Sequence, residues 1–107
     1  MIRHITLICF RDDISEACIA GIIGEFDRIC RVLPGLIGIT AGRSESPQRI
    51  ERRYLHGCVA DFTDRDALAA CQAHPDCRHV SDMMIENTVG GLDGILVFDL
   101  SQRIDPC

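Results

Sequence analysis

The 107-residue chain contains no lysine, so all eleven of its cationic side chains are arginines. A Schiff base needs a side-chain amine, and this absence excludes pyridoxal-phosphate chemistry and lysine-dependent aldol chemistry on these residues. The chain also has no block of basic residues, and its formal net charge is −5. This charge pattern argues against nucleic acid and anionic membranes as the main partners.

Long hydrophobic runs are missing as well. The apolar stretch at the amino-terminal end stops at Phe10, which makes it too short to cross a bilayer, and no small-residue cleavage site follows it. We therefore expect a cytoplasmic protein that does not enter the membrane. With 47% hydrophobic and 25% charged residues, the composition is that of an ordinary globular protein. We predict one domain over residues 1–100, followed by a polar tail at 101–107.

Cysteine, in contrast, is abundant. The chain has seven cysteines, an odd number, and none of them forms a CxxC pair. In a cytosolic chain such residues are more often buried thiols than disulfides, so we expect mostly structural thiols. One cluster of possible metal ligands has a spacing that matches no common zinc signature; it consists of Cys71, His74, Cys77 and His79. We accordingly expect no metal and no cofactor.

Hydrophobic periodicity divides the chain into six main elements. Alternating and β-branched runs predict strands at 2–10, 36–42, 54–62 and 95–100. A three- and four-residue apolar period predicts a helix over 15–32, with Ser15 as its N-cap and Pro34-Gly35 after its end. A second helical stretch follows a capping-box-like Thr63-x-x-Asp66, is interrupted at His74-Pro75, and ends at Gly90-Gly91.

The order β-α-β-β-α-β predicts an α+β, ferredoxin-like fold, with two helices on one face of a four-stranded antiparallel sheet. The helices leave the other face uncovered, although both faces of the predicted strands carry Ile, Leu, Val, Phe and Cys. An exposed apolar sheet face of this size is a strong interaction signal. We therefore expect a homodimer in which two copies pack through this sheet face about a two-fold axis.

Several short motifs together resemble one known family. These are the start MIRHITLI-x-F, Pro34-Gly35, Gly42-Arg43, the strand that contains His56 and ends at Asp61-Phe62, His74-Pro75, and Val97-Phe98-Asp99. In this order and spacing they resemble the Dabb family, the stress-responsive dimeric α/β-barrel domain. The resemblance covers residues 1 to about 100 and implies a homodimer whose two sheets form a barrel. Family members include plant stress proteins, a polyketide cyclase and a hydroxynitrile lyase, so the fold does not determine the chemistry.

The resemblance also locates a catalytic pair that this chain has not kept. In the cyclase branch, a tyrosine lies three residues before the His-Pro motif, and a histidine lies three residues after its histidine. Those positions hold Cys71 and Cys77 here, and the nearest histidine is His79. The cyclase machinery of the family is therefore not present in its usual form.

Acid–base chemistry would have to come from the remaining candidates. His4 and His56 lie on apolar strands where the family often has histidine, and Tyr54 lies two residues before His56. With His79, these residues are the predicted catalytic groups, because histidine exchanges protons near neutral pH. The alternative for both strand histidines is a buried ring that is hydrogen-bonded to the backbone. Three residues are predicted to contact a ligand: Phe26, Cys71 and Met83.

Three functions remain open at this point. The first is a small-molecule-binding dimer that holds an apolar or polyketide-like molecule between sheet and helices. The second is an acid–base enzyme, such as a cyclase, lyase or isomerase, that uses the histidines. The third is a structural stress protein without a ligand. An apolar cavity on which at least two of the histidines converge would favour the first two functions, whereas a filled helix–sheet interface would exclude both.

Overall fold

A computed structural model describes residues 1–101 of the chain. Its strands are β1 (Ile2–Ile8), β2 (Leu36–Arg43), β3 (His56–Phe62) and β4 (Ile95–Ser101). Its helices are α1 (Glu16–Cys30), α2 (Arg65–Ala73) and α3 (Pro75–Glu86), and a 3-10 turn covers Gly91–Gly94. Ser101, the first residue of the predicted tail, belongs to β4, and residues 102–107 lie outside the described part of the chain.

The four strands form one antiparallel sheet in the order β2-β3-β1-β4. The central strand β1 pairs with β3 on one side and with β4 on the other, so that Thr6 lies opposite both Cys58 and Val97. The predicted ferredoxin-like fold is confirmed. Its second helix is divided into α2 and α3, as expected from the interruption at His74-Pro75.

Several predicted boundaries shift by a few residues; α1, for example, ends at Cys30, and α3 ends at Glu86. The first strand ends at Ile8, and Phe10 forms only an isolated bridge with Thr88. The third strand begins at His56, because the Tyr54 N–H donates to the Glu51 carbonyl oxygen (3.1 Å) in a turn. The second helix is capped by Asp64, whose side chain accepts from the Ala67 N–H at 2.8 Å, so Thr63 is not the cap.

Helix α1 forms where the sequence predicts it. The Ser15 hydroxyl accepts a hydrogen bond from the Cys18 N–H at 3.1 Å and so satisfies one of the free donors of the first turn. Ile19, Ile22 and Ile29 are the buried residues of this helix, and their spacings of three and seven residues place them on one helical face. This apolar face packs the helix onto the sheet.

The corner between α2 and α3 is held by hydrogen bonds around His74. Its backbone N–H donates to the Cys71 carbonyl oxygen at 2.9 Å, and its carbonyl oxygen accepts from the Arg78 N–H at 3.0 Å. Its Nδ1 accepts from the Asp76 N–H at 3.1 Å, while Pro75 occupies the first position of α3, where no N–H donor is needed. The corner therefore brings the end of α2 close to the start of α3.

The two faces of the sheet have different surroundings. The helix-covered face contributes buried Ile2, Ile8, Cys58, Ala60 and Phe62 to a core that also contains Ile22, Ile29, Val80 and Met84. The other face, here called the open face, carries the alternate strand residues Ile5, Leu7, Val59, Leu96, Phe98 and Leu100. No helix within residues 1–101 is long and apolar enough to cross a membrane.

Candidate functional site

A cavity of about 370 Å³ lies between the helix-covered face of the sheet and the three helices. Its wall is mainly apolar, and includes Phe26, Ile29, Phe62, Leu68, Met84 and Ile95. Polar groups from β1 are His4 and Thr6, and further polar side chains come from the exposed residues Gln72, Arg78, Ser81 and Asp82. The cavity thus combines an apolar body with a few polar groups, which is the usual composition of a ligand site.

His4 is held by an acidic partner on the neighbouring strand. The β1–β4 register places Asp99 opposite His4, and Asp99 Oδ1 lies 2.5 Å from His4 Nδ1. Because the carboxylate occupies Nδ1, the other ring nitrogen, Nε2, is the one available to a ligand. A carboxylate in this position fixes the tautomer and orientation of the ring.

His56 lies on the same face of the sheet but does not line the cavity. The register pairs His4 with Ala60 and His56 with Ile8, which separates the two histidines by about 13 Å along the strands. His56 is buried against the Phe10 ring, with the ring centroids 5.3 Å apart, and its Nε2 lies 3.8 Å from Glu16 Oε1. Among the described residues this nitrogen has no hydrogen-bond partner, which differs from the expected backbone-bonded ring.

Tyr54 and His79 also lie away from the cavity. Tyr54 belongs to the loop before β3 and lines a separate depression that includes the open-face residues Leu7, Thr40 and Val59. His79 is exposed on α3, because Cys77 and Val80 are the residues that this part of the helix turns inward. Of the four predicted catalytic residues, the structure brings only His4 to the cavity.

Two of the three predicted ligand contacts line the cavity, namely Phe26 and Cys71. Met83 instead packs against the core, and its neighbour Met84 lines the wall, because Met84 lies four residues after Val80 on the buried side of α3. The residue that sequence reasoning missed is Asp99. A charge at the end of the apolar run ILVF was the available signal, but its partner became evident only from the strand register.

The cysteines depart from the expected pattern at one place. Cys71 and Cys77 form a disulfide, with their Cα atoms 5.9 Å apart, although mostly thiols were expected. The corner at His74-Pro75 explains this pairing, because it folds two residues that lie six positions apart onto the same wall. Four other cysteines in the described part are free: Cys9, Cys18, Cys30 and Cys58.

Cys58 is the most deeply buried of these free thiols. Burial disfavours the thiolate and raises the pKa of Cys58 to about 11. At neutral pH this residue is therefore a neutral, apolar part of the cavity wall, with no nucleophilic character. Within residues 1–101, no group of three or more His, Cys, Asp or Glu side chains is placed to hold a metal ion.

Comparisons with known proteins place this geometry in a family. Residues 2–102 match the family described as Stress responsive A/B Barrel Domain, Dabb. Over 98 residues, which are 92% of this chain and 86% of the relative, the sequence is 26% identical to the stress-response A/B barrel domain-containing protein HS1 of Arabidopsis thaliana.

Solved structures agree with the fold. A dimeric ferredoxin-like protein of unknown function from Jannaschia sp. CCS1 is 28% identical, with a TM-score of 0.89 over 94% of this chain and 98% of that one. A hydroxynitrile lyase from Passiflora edulis shares the fold at 16% identity, with a TM-score of 0.80 over 98% of this chain and 96% of the lyase. The motifs, the strand order and the family match agree, and the chain belongs to the stress responsive A/B barrel domain family.

Proposed function

We propose that this protein binds a small, mainly apolar molecule in the cavity between the sheet and the helices. The observation that carries this proposal is the cavity itself, because a tightly filled helix–sheet interface would leave no room for a ligand. Only one histidine, His4, lines the cavity, so the expected convergence of two histidines is not met. Its volume of about 370 Å³ is within the range of small-molecule sites. The apolar wall would supply most of the binding free energy through the hydrophobic effect.

The polar groups restrict the chemistry of the ligand. His4 presents one ring nitrogen, while the rest of the wall near β1 and β3 consists of apolar side chains and Thr6. A molecule with an apolar body and one hydroxyl or carbonyl group would fit both the apolar wall and the His4 ring nitrogen. Small aromatic, polyketide-like compounds with a single phenolic hydroxyl have this character.

A pair of matched probes tests the proposal. 4-Butylphenol has an apolar body and one hydroxyl, and butylbenzene lacks only the hydroxyl, so calorimetric titration with both compounds separates burial from hydrogen bonding. Leu68→Trp, which fills the cavity from α2, should abolish binding of both probes, whereas Val32→Trp, at a position that is 62% exposed, should not. Equal binding to the wild type and to Leu68→Trp would refute the cavity as the ligand site.

A second variant tests the role of His4. Replacement of His4 by Ala should weaken 4-butylphenol binding roughly threefold to tenfold, the worth of one hydrogen bond, because the hydroxyl loses its partner. Butylbenzene binding should hardly change, since that probe forms no hydrogen bond. Parallel losses for both probes would show that the substitution damages the cavity rather than a specific polar contact.

The working unit proposed here is a homodimer joined through the open face. Leu96, Phe98 and Leu100 are 41%, 54% and 43% exposed in the single chain, and all three lie on this face. The similar protein from Jannaschia is described as dimeric. Covering the open face with a second copy would remove this apolar surface from water.

Light scattering at micromolar concentration should give twice the chain mass, and a stable monomer would refute the dimer.

The contact between His4 and Asp99 supports a second candidate, an acid–base enzyme. In such a reaction Nε2 of His4 would accept a proton from the bound molecule, and Asp99 would stabilise the resulting imidazolium. The shared fold with a hydroxynitrile lyase makes an aromatic cyanohydrin a reasonable first substrate. Catalytic roles for His56, His79 and Tyr54 remain predictions, and none of these residues lines the cavity.

An assay of cyanohydrin cleavage tests this candidate. The rate is measured from the aldehyde that is released, across a range of pH. His4→Ala should lose roughly 100-fold or more in kcat, the usual contribution of a positioned acid–base group. Under the same conditions Val32→Ala, at an exposed position that does not line the cavity, should retain its rate and serve as the control. A rate that falls equally in His4→Ala and Val32→Ala would contradict the role assigned to His4.

A further inference from the structure

We propose that Cys71 and Cys77 form a redox-active pair that exchanges thiols with a low-molecular-weight disulfide, such as glutathione disulfide. Both residues line the cavity, where a small molecule can approach them. Their Cα atoms are 5.9 Å apart, within the roughly 4.4–6.8 Å that protein disulfides span. This activity does not depend on the ligand proposed above, because it requires only the two sulfur atoms and access to them.

The corner that carries the pair is held without the sulfur–sulfur bond. Three hydrogen bonds already hold the end of α2 against the start of α3. The His74 N–H donates to the Cys71 carbonyl oxygen, the Arg78 N–H donates to the His74 carbonyl oxygen, and the Asp76 N–H donates to the His74 ring. The two cysteines are only six positions apart, and a cross-link that closes a short loop restricts the unfolded chain less than one that closes a long loop. These hydrogen bonds do not involve the sulfur atoms, so they can hold the corner in the reduced form as well, and both redox forms can share one fold.

The burial of the two residues assigns them different roles. Cys71 is half-buried, whereas Cys77 is buried at 6% exposure, so Cys71 is the more accessible sulfur. Arg78 follows Cys77 in sequence, is exposed and also lines the cavity. Its positive charge favours the approach of an anionic disulfide to the cavity.

The reaction balances in two exchanges. Cys71 loses its proton, and its thiolate attacks one sulfur of the small disulfide, which breaks the S–S bond and releases one thiolate that takes up a proton. Cys77 then loses its proton and attacks the Cys71 side of the mixed disulfide, so the second small thiol leaves and takes up a proton. Overall, two protein thiols are oxidised to one disulfide, and one small disulfide is reduced to two thiols.

The test begins with the full chain, fully reduced and freed of reductant, and mixed with glutathione disulfide. Wild-type protein should form the Cys71–Cys77 disulfide and release two glutathione molecules per pair, without a stable adduct at either residue. Peptide mapping by mass spectrometry locates the bond. Cys18→Ser, which removes an exposed free thiol and keeps the pair, should behave in the same way at Cys71 and Cys77.

Single variants distinguish the attacking from the resolving sulfur. Cys77→Ala should accumulate a glutathione adduct on Cys71, because no resolving thiol remains. Cys71→Ala should form at least about tenfold less adduct on the buried Cys77 over the same time. Should Cys77→Ala fail to fold, Cys77→Ser provides the same measurement.

Two results would overturn the proposal. One is a persistent glutathione adduct on Cys71 in the wild-type chain, which would show that Cys77 does not resolve it. The other is a disulfide that dithiothreitol reduces only when the circular dichroism of the fold is lost, which would show a purely structural bond.

Discussion

The two faces of the sheet are similar in composition but differ in what covers them. The helix-covered face carries Ile2, Thr6 and Ile8 on β1, all buried, and the open face carries Ile5 and Leu7 on the same strand, both only half-buried. The first face shares its apolar surface with three helices and retains a cavity. The comparison shows that an apolar strand pattern specifies burial, whereas the connections between strands determine which face the chain itself can cover.

The largest expected effect is on the open face. Phe98 lies opposite Ile5 and is 54% exposed in the single chain. If a second copy covers this face, Phe98→Glu would place an unpaired charge in the interface, which costs several kcal/mol, so the dimer dissociation constant should rise more than about 100-fold. Size-exclusion chromatography with light scattering at micromolar concentration should then show a monomer of unchanged circular dichroism.

Val32→Glu is the matched control for that experiment, since Val32 is 62% exposed and lies just after α1 rather than on a strand. It should leave the oligomeric state unchanged. A Phe98→Glu chain that elutes as the wild-type dimer would mean that the open face is not the interface.

On the helix-covered face, the corresponding change affects folding rather than assembly. Ile29 is 1% exposed, and Ile29→Ala should lower the free energy of unfolding by about 2–5 kcal/mol, because it removes buried methyl groups and leaves a void. Urea denaturation measures this loss. Ile50→Ala, at a loop position that is 58% exposed, should change stability by less than about 0.5 kcal/mol. Similar losses in both variants would contradict the assignment of Ile29 to the core.

A smaller effect concerns the buried thiol of the same face. Burial raises the pKa of Cys58 from 9.0 to about 11, so the folded state favours the neutral thiol. Its contribution to stability is fully present below pH 9.0 and is lost as the pH rises through about 11. Over that interval the free energy of unfolding should fall by at most about 2–3 kcal/mol through this group.

Cys58→Ala isolates the contribution of this thiol to the free energy of unfolding. The difference in that free energy between wild type and variant should be constant below pH 9.0 and shrink toward pH 11. Urea denaturation across this range supplies the measurement, and groups that titrate in both proteins cancel in the difference. A difference that stays constant throughout would show that the thiol is not desolvated in the folded protein.

Local patterns predicted the elements well because capping and periodicity act within a few residues. Ser15 and the apolar period of α1 are an example, since both the cap and the buried face lie where the pattern places them. A predicted boundary differs from the observed one where two neighbouring residues offer the same chemistry. Thr63 and Asp64 can each cap a helix, and the structure uses Asp64.

The candidate site was predictable only in part. Three of the seven predicted site residues line the cavity, namely His4, Phe26 and Cys71. The other four do not line it: His56, Met83, Tyr54 and His79. Period-two alternation correctly placed His4 and His56 on one face. It contained no information about their positions along the sheet relative to the helices, and those positions separate the two rings.

The amino-acid sequence by itself determined the order of the elements, the apolar character of both sheet faces and the absence of lysine chemistry, because each depends on neighbouring residues or on composition alone. Only the tertiary structure decided that Asp99 meets His4, that Cys71 bonds to Cys77 and that one histidine reaches the cavity. The physical reason is that strand register and the α2–α3 corner join distant or oppositely directed segments. A local pattern specifies the direction of a side chain, and the packing of the whole chain specifies what that side chain contacts.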